Sequence, residues 1–130
     1  MKKELEEKIR EIFERFQAVK LAYFFGSRAR GEAGPMSDYD FAVYLDEKDK
    51  QKMFDIKFRL MDELSRVLKT EKVDLVILNT IESPEIKYEI IRDGQLICKK
   101  EPYKILVEPH ILQEYFDFLT MLRKYNLTKA

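Results

Sequence analysis

Apolar residues recur at helical spacing at the start of the chain. Leu5, Ile9, Ile12, Phe13 and Phe16 form one stripe between Lys3 and Phe16, and the remaining face is almost all Lys, Arg and Glu of mixed sign. That pattern predicts an amphipathic surface helix. The period then changes. Leu21 to Phe25 is a continuous apolar run rich in aromatics, which suits a buried strand. Between Ser37 and Asp46 the pattern alternates: Phe41, Val43 and Leu45 share one face, while Asp38, Asp40, Ala42 and Tyr44 share the other. Lys50 to Leu68 returns to a helical period, with a stripe wide enough for a deeply packed helix. Lys72 to Leu78 and Gln95 to Cys98 read as two more strands, the second at a sheet edge. Between them Ser83 is a good N-cap, Pro84 fits the first helical position and Gly94 is a stop, which predicts a short helix with Ile86, Ile90 and Ile91 on its core side. Pro109 is read as the start of a last helix reaching Tyr125.

Strands and helices in this order predict an α/β (α+β) fold: a small mixed sheet with helices packed mainly on one face. The chain has 130 residues, enough for one core. Residues 1–100 would form that core, and 101–130 a C-terminal helical extension of the same domain.

Composition narrows the function. Lys+Arg and Asp+Glu are equal at 24 each, so the formal net charge is zero. A protein built to grip a nucleic-acid backbone needs a basic excess, so stable nucleic-acid binding is not expected. No apolar run approaches a membrane span of roughly 20 residues, and the acidic, charged N-terminus does not read as a signal peptide. Cys98 is the one cysteine and His110 the one histidine, which excludes disulfides and Cys/His metal clusters. Cytoplasmic localisation is the expectation.

The chemistry lies between Leu21 and Asp46. Asp38 and Asp40 stand on one face of a strand, roughly 7 Å apart along it. Like charges at that range repel by roughly 2 kcal/mol at an effective dielectric near 20. A divalent cation between them would reverse the sign. Gly26 and Ser27 form either a simple turn or a cradle for phosphate, since glycine admits close backbone approach and serine offers a hydroxyl and an N–H. Arg28 and Arg30 either face solvent or add charge-assisted contacts to a triphosphate. Asp74, inside an otherwise apolar strand, is either an edge residue paired with a neighbouring Lys or Arg, or a third carboxylate brought beside the first two. Three carboxylates suit Mg²⁺ or Mn²⁺, which prefer oxygen ligands.

Gly26-Ser27, ten residues, then Asp38, one residue and Asp40 resembles the signature of the DNA polymerase β-like nucleotidyltransferases. Within them the chain is similar to the minimal nucleotidyltransferase (MNT) group, antitoxins paired with HEPN toxins. The resemblance covers about residues 5–100 and makes residues 1–100 a nucleotidyltransferase domain. It implies transfer of AMP from ATP to a tyrosine hydroxyl of a cognate HEPN toxin. It further implies two Mg²⁺ ions, with Mn²⁺ as a substitute, held by Asp38, Asp40 and Asp74. Gly26 and Ser27 would hold the β- and γ-phosphates. Three other readings stand beside this one: a small-molecule nucleotidyltransferase of the aminoglycoside-modifying kind, an antitoxin that binds nucleotide and acts by occlusion, and a nucleic-acid polymerising or tailing enzyme. The apolar and aromatic residues of 109–125 spread beyond one stripe. They predict a surface for the protein acceptor, with Tyr115, Phe118 and Tyr125 as anchors, or else a helix folded onto the core.

Overall fold

The structure, a computed structural model, describes residues 1–34 and 36–126. Pro35, expected to interrupt regular structure, and residues 127–130 of the expected extension lie outside the described residues. The elements run α1 (Lys3–Arg15), β1 (Val19–Phe25), β2 (Tyr39–Leu45), α2 (Lys50–Leu68), β3 (Val73–Ile77), a 3₁₀ turn (Leu78–Thr80), α3 (Pro84–Asp93), β4 (Gln95–Lys99) and α4 (Tyr103–Lys124). The four strands form one sheet in the order β3-β2-β1-β4. β1 is antiparallel to both β2 and β4, while β2 and β3 are parallel. The class and the mixed sheet are those expected from the pattern.

The helices divide between the two faces, which corrects the expectation that they pack mainly on one. Ile9, Ile12 and Phe13 of α1 and Leu60 and Leu64 of α2 cover Phe24, Phe41, Val43 and Leu75 on the first face. Ile90 of α3 and Val107 and Ile111 of α4 cover Leu21, Tyr23 and Ala42 on the second. The reason is visible in β1. Its residues are buried on both sides, Leu21, Ala22 and Tyr23 consecutively. A central strand of this kind needs a layer on each face. Cys98 is buried in the first core as a small hydrophobe, and burial pushes its thiol up.

α4 begins at Tyr103, six residues before the expected start, and Pro109 sits inside it. Proline removes one helical hydrogen bond and costs about 3 kcal/mol in a helix interior. The ring is exposed, and burial of Val107 and Ile111 on the opposite side carries the helix through it. Glu108 adds a polar tie: the Tyr23 hydroxyl, on a strand residue only 1% exposed, donates to Glu108 Oε2 at 2.5 Å. Burial and then the Glu108 carboxylate push the Tyr23 phenol far above its ordinary range, so it stays a donor. Asn79 supplies a second cross-tie. Its side-chain oxygen accepts from the Leu45 N–H at 2.9 Å and its amide donates to the Leu45 carbonyl at 2.8 Å, extending the ladder past the end of β3. Among the described residues no helix is long and apolar enough to cross a membrane.

Candidate active site

Three elements meet at one end of the sheet. β1 ends there at Phe25, and the antiparallel register sets Phe25 opposite Asp40 near the start of β2. The parallel register sets Asp40 opposite Asp74 of β3. Neighbouring strands lie about 4.8 Å apart, so the two carboxylates rise side by side from the same face. That face also carries Ala42 and Tyr44, as the alternation requires, and it is the face covered further along by α3 and α4. Asp38 precedes β2 and is exposed.

The electrostatics record this crowding. Burial raises the pKa of Asp40, the charge of Asp74 raises it further and that of Asp38 adds to the rise, while Arg30 opposes it. None of the three carboxylates takes part in an ion pair among the described residues. Asp74 is exposed on the edge strand β3, so its position does not stem from a buried charge seeking a partner, and no Lys or Arg neutralises it. Among the described residues no three His, Cys, Asp or Glu side chains already close into a metal cage. The donor set is nonetheless all oxygen and strongly anionic. It fits Mg²⁺ or Mn²⁺, which retain waters and share ligands with substrate phosphates.

Gly26 makes the junction possible. Its φ is +83°, and a Cβ there would lie 2.3 Å from Asp40 Oδ2. Only glycine combines that backbone with that approach. After it the chain makes a helical turn: the Arg30 N–H donates to the Gly26 carbonyl at 3.2 Å, and the Glu32 N–H to the Ser27 carbonyl at 2.9 Å. Ser27 opens this turn.

The two arginines part company. Arg28 Nε donates to the Ser37 carbonyl at 2.9 Å, and its guanidinium lies over the Tyr39 ring, 4.3 Å from the centroid. Tyr39 stacks in turn on Phe24. Arg28 therefore ties the glycine turn to the start of β2, beside Asp38. Arg30 pairs with Glu32 and lies close enough to Asp40 to act on its ionisation. It also lines a small pocket of about 80 Å³ with Gly26, Ile86, Glu89 and Asp93. Sequence reasoning missed Tyr39 as the platform for Arg28; an aromatic between two aspartates was the available signal.

A larger cavity of about 290 Å³ lies on the same face at the other end of β2, lined by Tyr44, Leu78, Lys87, His110, Ile111 and Glu114 among others. Lys87 and Glu114 form an ion pair across α3 and α4 at 2.5 Å. His110 is exposed at the cavity wall, far along the sheet from the carboxylates.

The family model described as Polymerase beta, Nucleotidyltransferase matches residues 7–103. The chain belongs to this family. As a polymerase β-type nucleotidyltransferase it is similar to two Methanocaldococcus jannaschii proteins that carry "protein adenylyltransferase" in their names. They are 35% identical over 91 residues and 36% identical over 92, in each case 70% of this chain and 89% of the relative. The fold is shared with a toxin–antitoxin structure solved with AMP-PNP, at a TM-score of 0.74 and 22% identity over 92% of this chain and 94% of that one. A structure of tri-AMPylated Shewanella oneidensis HEPN toxin in complex with MNT antitoxin matches at a TM-score of 0.71 and 20% identity, over 96% and 95%. The nucleotidyltransferase class expected from Gly26-Ser27 and Asp38-x-Asp40 is the family's own.

Proposed function

We propose that this nucleotidyltransferase is an MNT-type antitoxin that moves AMP from ATP to a tyrosine hydroxyl of a cognate HEPN toxin. The observation that carries the reading is the registered pair Asp40 and Asp74, with Asp38 adding its charge, beside a glycine turn that admits the Asp40 carboxylate. The names of the archaeal relatives support a protein as acceptor, and the toxin–antitoxin neighbours support the kind of protein.

Asp38, Asp40 and Asp74 would hold two Mg²⁺ ions, which when bound offset the triphosphate charge and lower the pKa of an acceptor hydroxyl. The other roles fall to the chain itself. Gly26 and Ser27 hold the β- and γ-phosphates through backbone N–H groups and the Ser27 hydroxyl. Arg30, beside Asp40, adds positive charge where the pyrophosphate departs. Arg28 holds the turn in place through Ser37 and Tyr39. The acceptor oxygen bonds to the α-phosphorus, the bond from that phosphorus to the oxygen bridging to the β-phosphate breaks, and pyrophosphate leaves. Asp74, exposed at the sheet edge, takes the hydroxyl proton.

The test is to mix the chain with the protein encoded beside its gene, ATP and Mg²⁺, and to weigh the partner intact. The expected result is a gain of whole AMP units on tyrosine together with loss of the partner's toxicity. Neutralisation by complex formation with no gain in mass would replace transfer by occlusion.

A further inference from the structure

α3 carries one apolar side chain that the core does not use. Ile86, Glu89, Ile90 and Asp93 follow one another at helical spacing, so they share one flank of the helix. Ile90 is buried, whereas Ile86, expected on the core side, is 50% exposed. This flank faces the glycine turn across the pocket of about 80 Å³, which Phe25, Gly26 and Arg30 close from the other side. The pocket adjoins the carboxylates. Phe25 stands opposite Asp40 in the register of β1 and β2, and Gly26 lies against the Asp40 carboxylate.

The flank is chemically selective. Ionised carboxylates accept hydrogen bonds and donate none, so Glu89 and Asp93 repel phosphate and suit hydroxyl donors. Asp93 is already engaged, accepting from Arg92 at 2.9 and 2.8 Å. Glu89 is exposed and takes part in no ion pair among the described residues. One water-sized group needs about 10–15 Å³ of such space. The pocket therefore takes the hydroxyl edge of a sugar and not a whole nucleoside, and a base attached to that sugar would rest on Ile86.

The direction of the transfer leads to the same place. The acceptor arrives beside Asp74 on β3, and pyrophosphate leaves towards Gly26 and Ser27 at the end of β1, across the order β3-β2-β1. Attacking oxygen, α-phosphorus and leaving oxygen stand in line. The bond from phosphorus to the nucleoside points off that line. Along the face that Asp40 shares with Ala42, it meets α3. Resting on the transfer reading above, we infer that this flank of α3 is the nucleoside subsite, where Glu89 accepts from the ribose hydroxyls and Ile86 lies against the base.

The experiment is calorimetry on the full chain with Mg²⁺ and three probes: ATP, 2′,3′-dideoxy-ATP and inorganic tripolyphosphate. The wild type should bind ATP about tenfold more tightly than the dideoxy form, as hydrogen bonds to a charged group allow. Glu89→Ala should bring the two nucleotides together, with tripolyphosphate bound no more weakly and the melting temperature unchanged. Ile86→Ser should weaken both nucleotides alike and leave tripolyphosphate as it was. A wild type that binds ATP and the dideoxy form equally overturns the inference. So does a Glu89→Ala variant that keeps the tenfold gap or loses tripolyphosphate along with ATP, or an Ile86→Ser variant that binds both nucleotides as the wild type does. In each of those cases the transfer reading stands, because the wild type still binds the triphosphate. A wild type that binds neither ATP nor tripolyphosphate brings down the transfer reading itself, and the nucleoside subsite with it.

Discussion

Gly26 and Asp40 share one space: a Cβ on Gly26 would lie 2.3 Å from Asp40 Oδ2, at a residue whose φ is +83°. Gly26→Ala is therefore expected to displace the carboxylate as well as strain the turn. The backbone alone costs about 1 kcal/mol. A misplacement near 1 Å at the reacting groups costs about 10²-fold in rate. Melting temperature and AMP transfer measured on the same preparation check this. A variant that melts lower yet transfers at the wild-type rate would separate the glycine from the chemistry.

Asp40→Asn is expected to abolish transfer and to stabilise the ligand-free protein. The sign follows from linkage. The folded pKa of Asp40 is raised, chiefly by burial and then by Asp74 and Asp38, so the folded state holds the proton more tightly than the unfolded one. Stability contributed by the protonated form is lost as pH rises from the ordinary carboxylate range through the raised value. At neutral pH the wild type carries that penalty and the variant does not. The gain should be about 1 kcal/mol, because these carboxylates are partly solvated. It should shrink as the pH falls to where Asp40 is protonated. Thermal melts across pH, with Mg²⁺ titrations alongside, decide it; a variant less stable than the wild type at neutral pH would make Asp40 a structural residue.

Ser27→Ala should weaken binding of ATP more than that of AMP. A hydrogen bond to a charged group is worth about 1.5–3 kcal/mol, and the proposed contact lies on the β- or γ-phosphate. Calorimetry with both nucleotides provides the comparison. Equal losses would move Ser27 away from those phosphates.

Arg28→Lys should act through the loop rather than through charge. Lysine keeps the charge but loses the planar stack on Tyr39 and the directed Nε bond to the Ser37 carbonyl. Protease nicking within 28–37 should quicken, with ATP affinity falling as the turn loosens. A variant with unaltered nicking and sharply weaker ATP binding would return Arg28 to direct phosphate contact.

Tyr23→Phe should cost about 1 kcal/mol, since Glu108 Oε2 loses its donor while Oε1 keeps Lys104 at 3.7 Å. Glu108→Gln, which can still accept, should cost less. ATP binding should be unchanged in both, because this bond ties α4 to β1 away from the carboxylate end. Denaturant melts of the two variants check the order.

Local pattern determined much of this protein. The strict alternation from Phe41 to Leu45 put Asp40 on the face opposite the first core, and the cap at Ser83 and the span of α2 follow from short-range chemistry. The turn at Gly26-Ser27 and its distance to Asp38 and Asp40 were legible as a motif. What no local pattern specifies is which strands become neighbours. Asp74 stands beside Asp40 because β3 lies parallel to β2 at the sheet edge, where the side chain is exposed; an apolar strand pattern left that open between an edge ion pair and a third carboxylate. The split of the helices between two faces depends on β1 being central, a property of the whole sheet. Pro109 reads locally as a helix start, yet contacts at Val107, Glu108 and Ile111 draw the helix through it from Tyr103. Propensity acts over a turn or two, whereas burial and long-range pairing act across the fold, and at Pro109 and Asp74 the longer range decides.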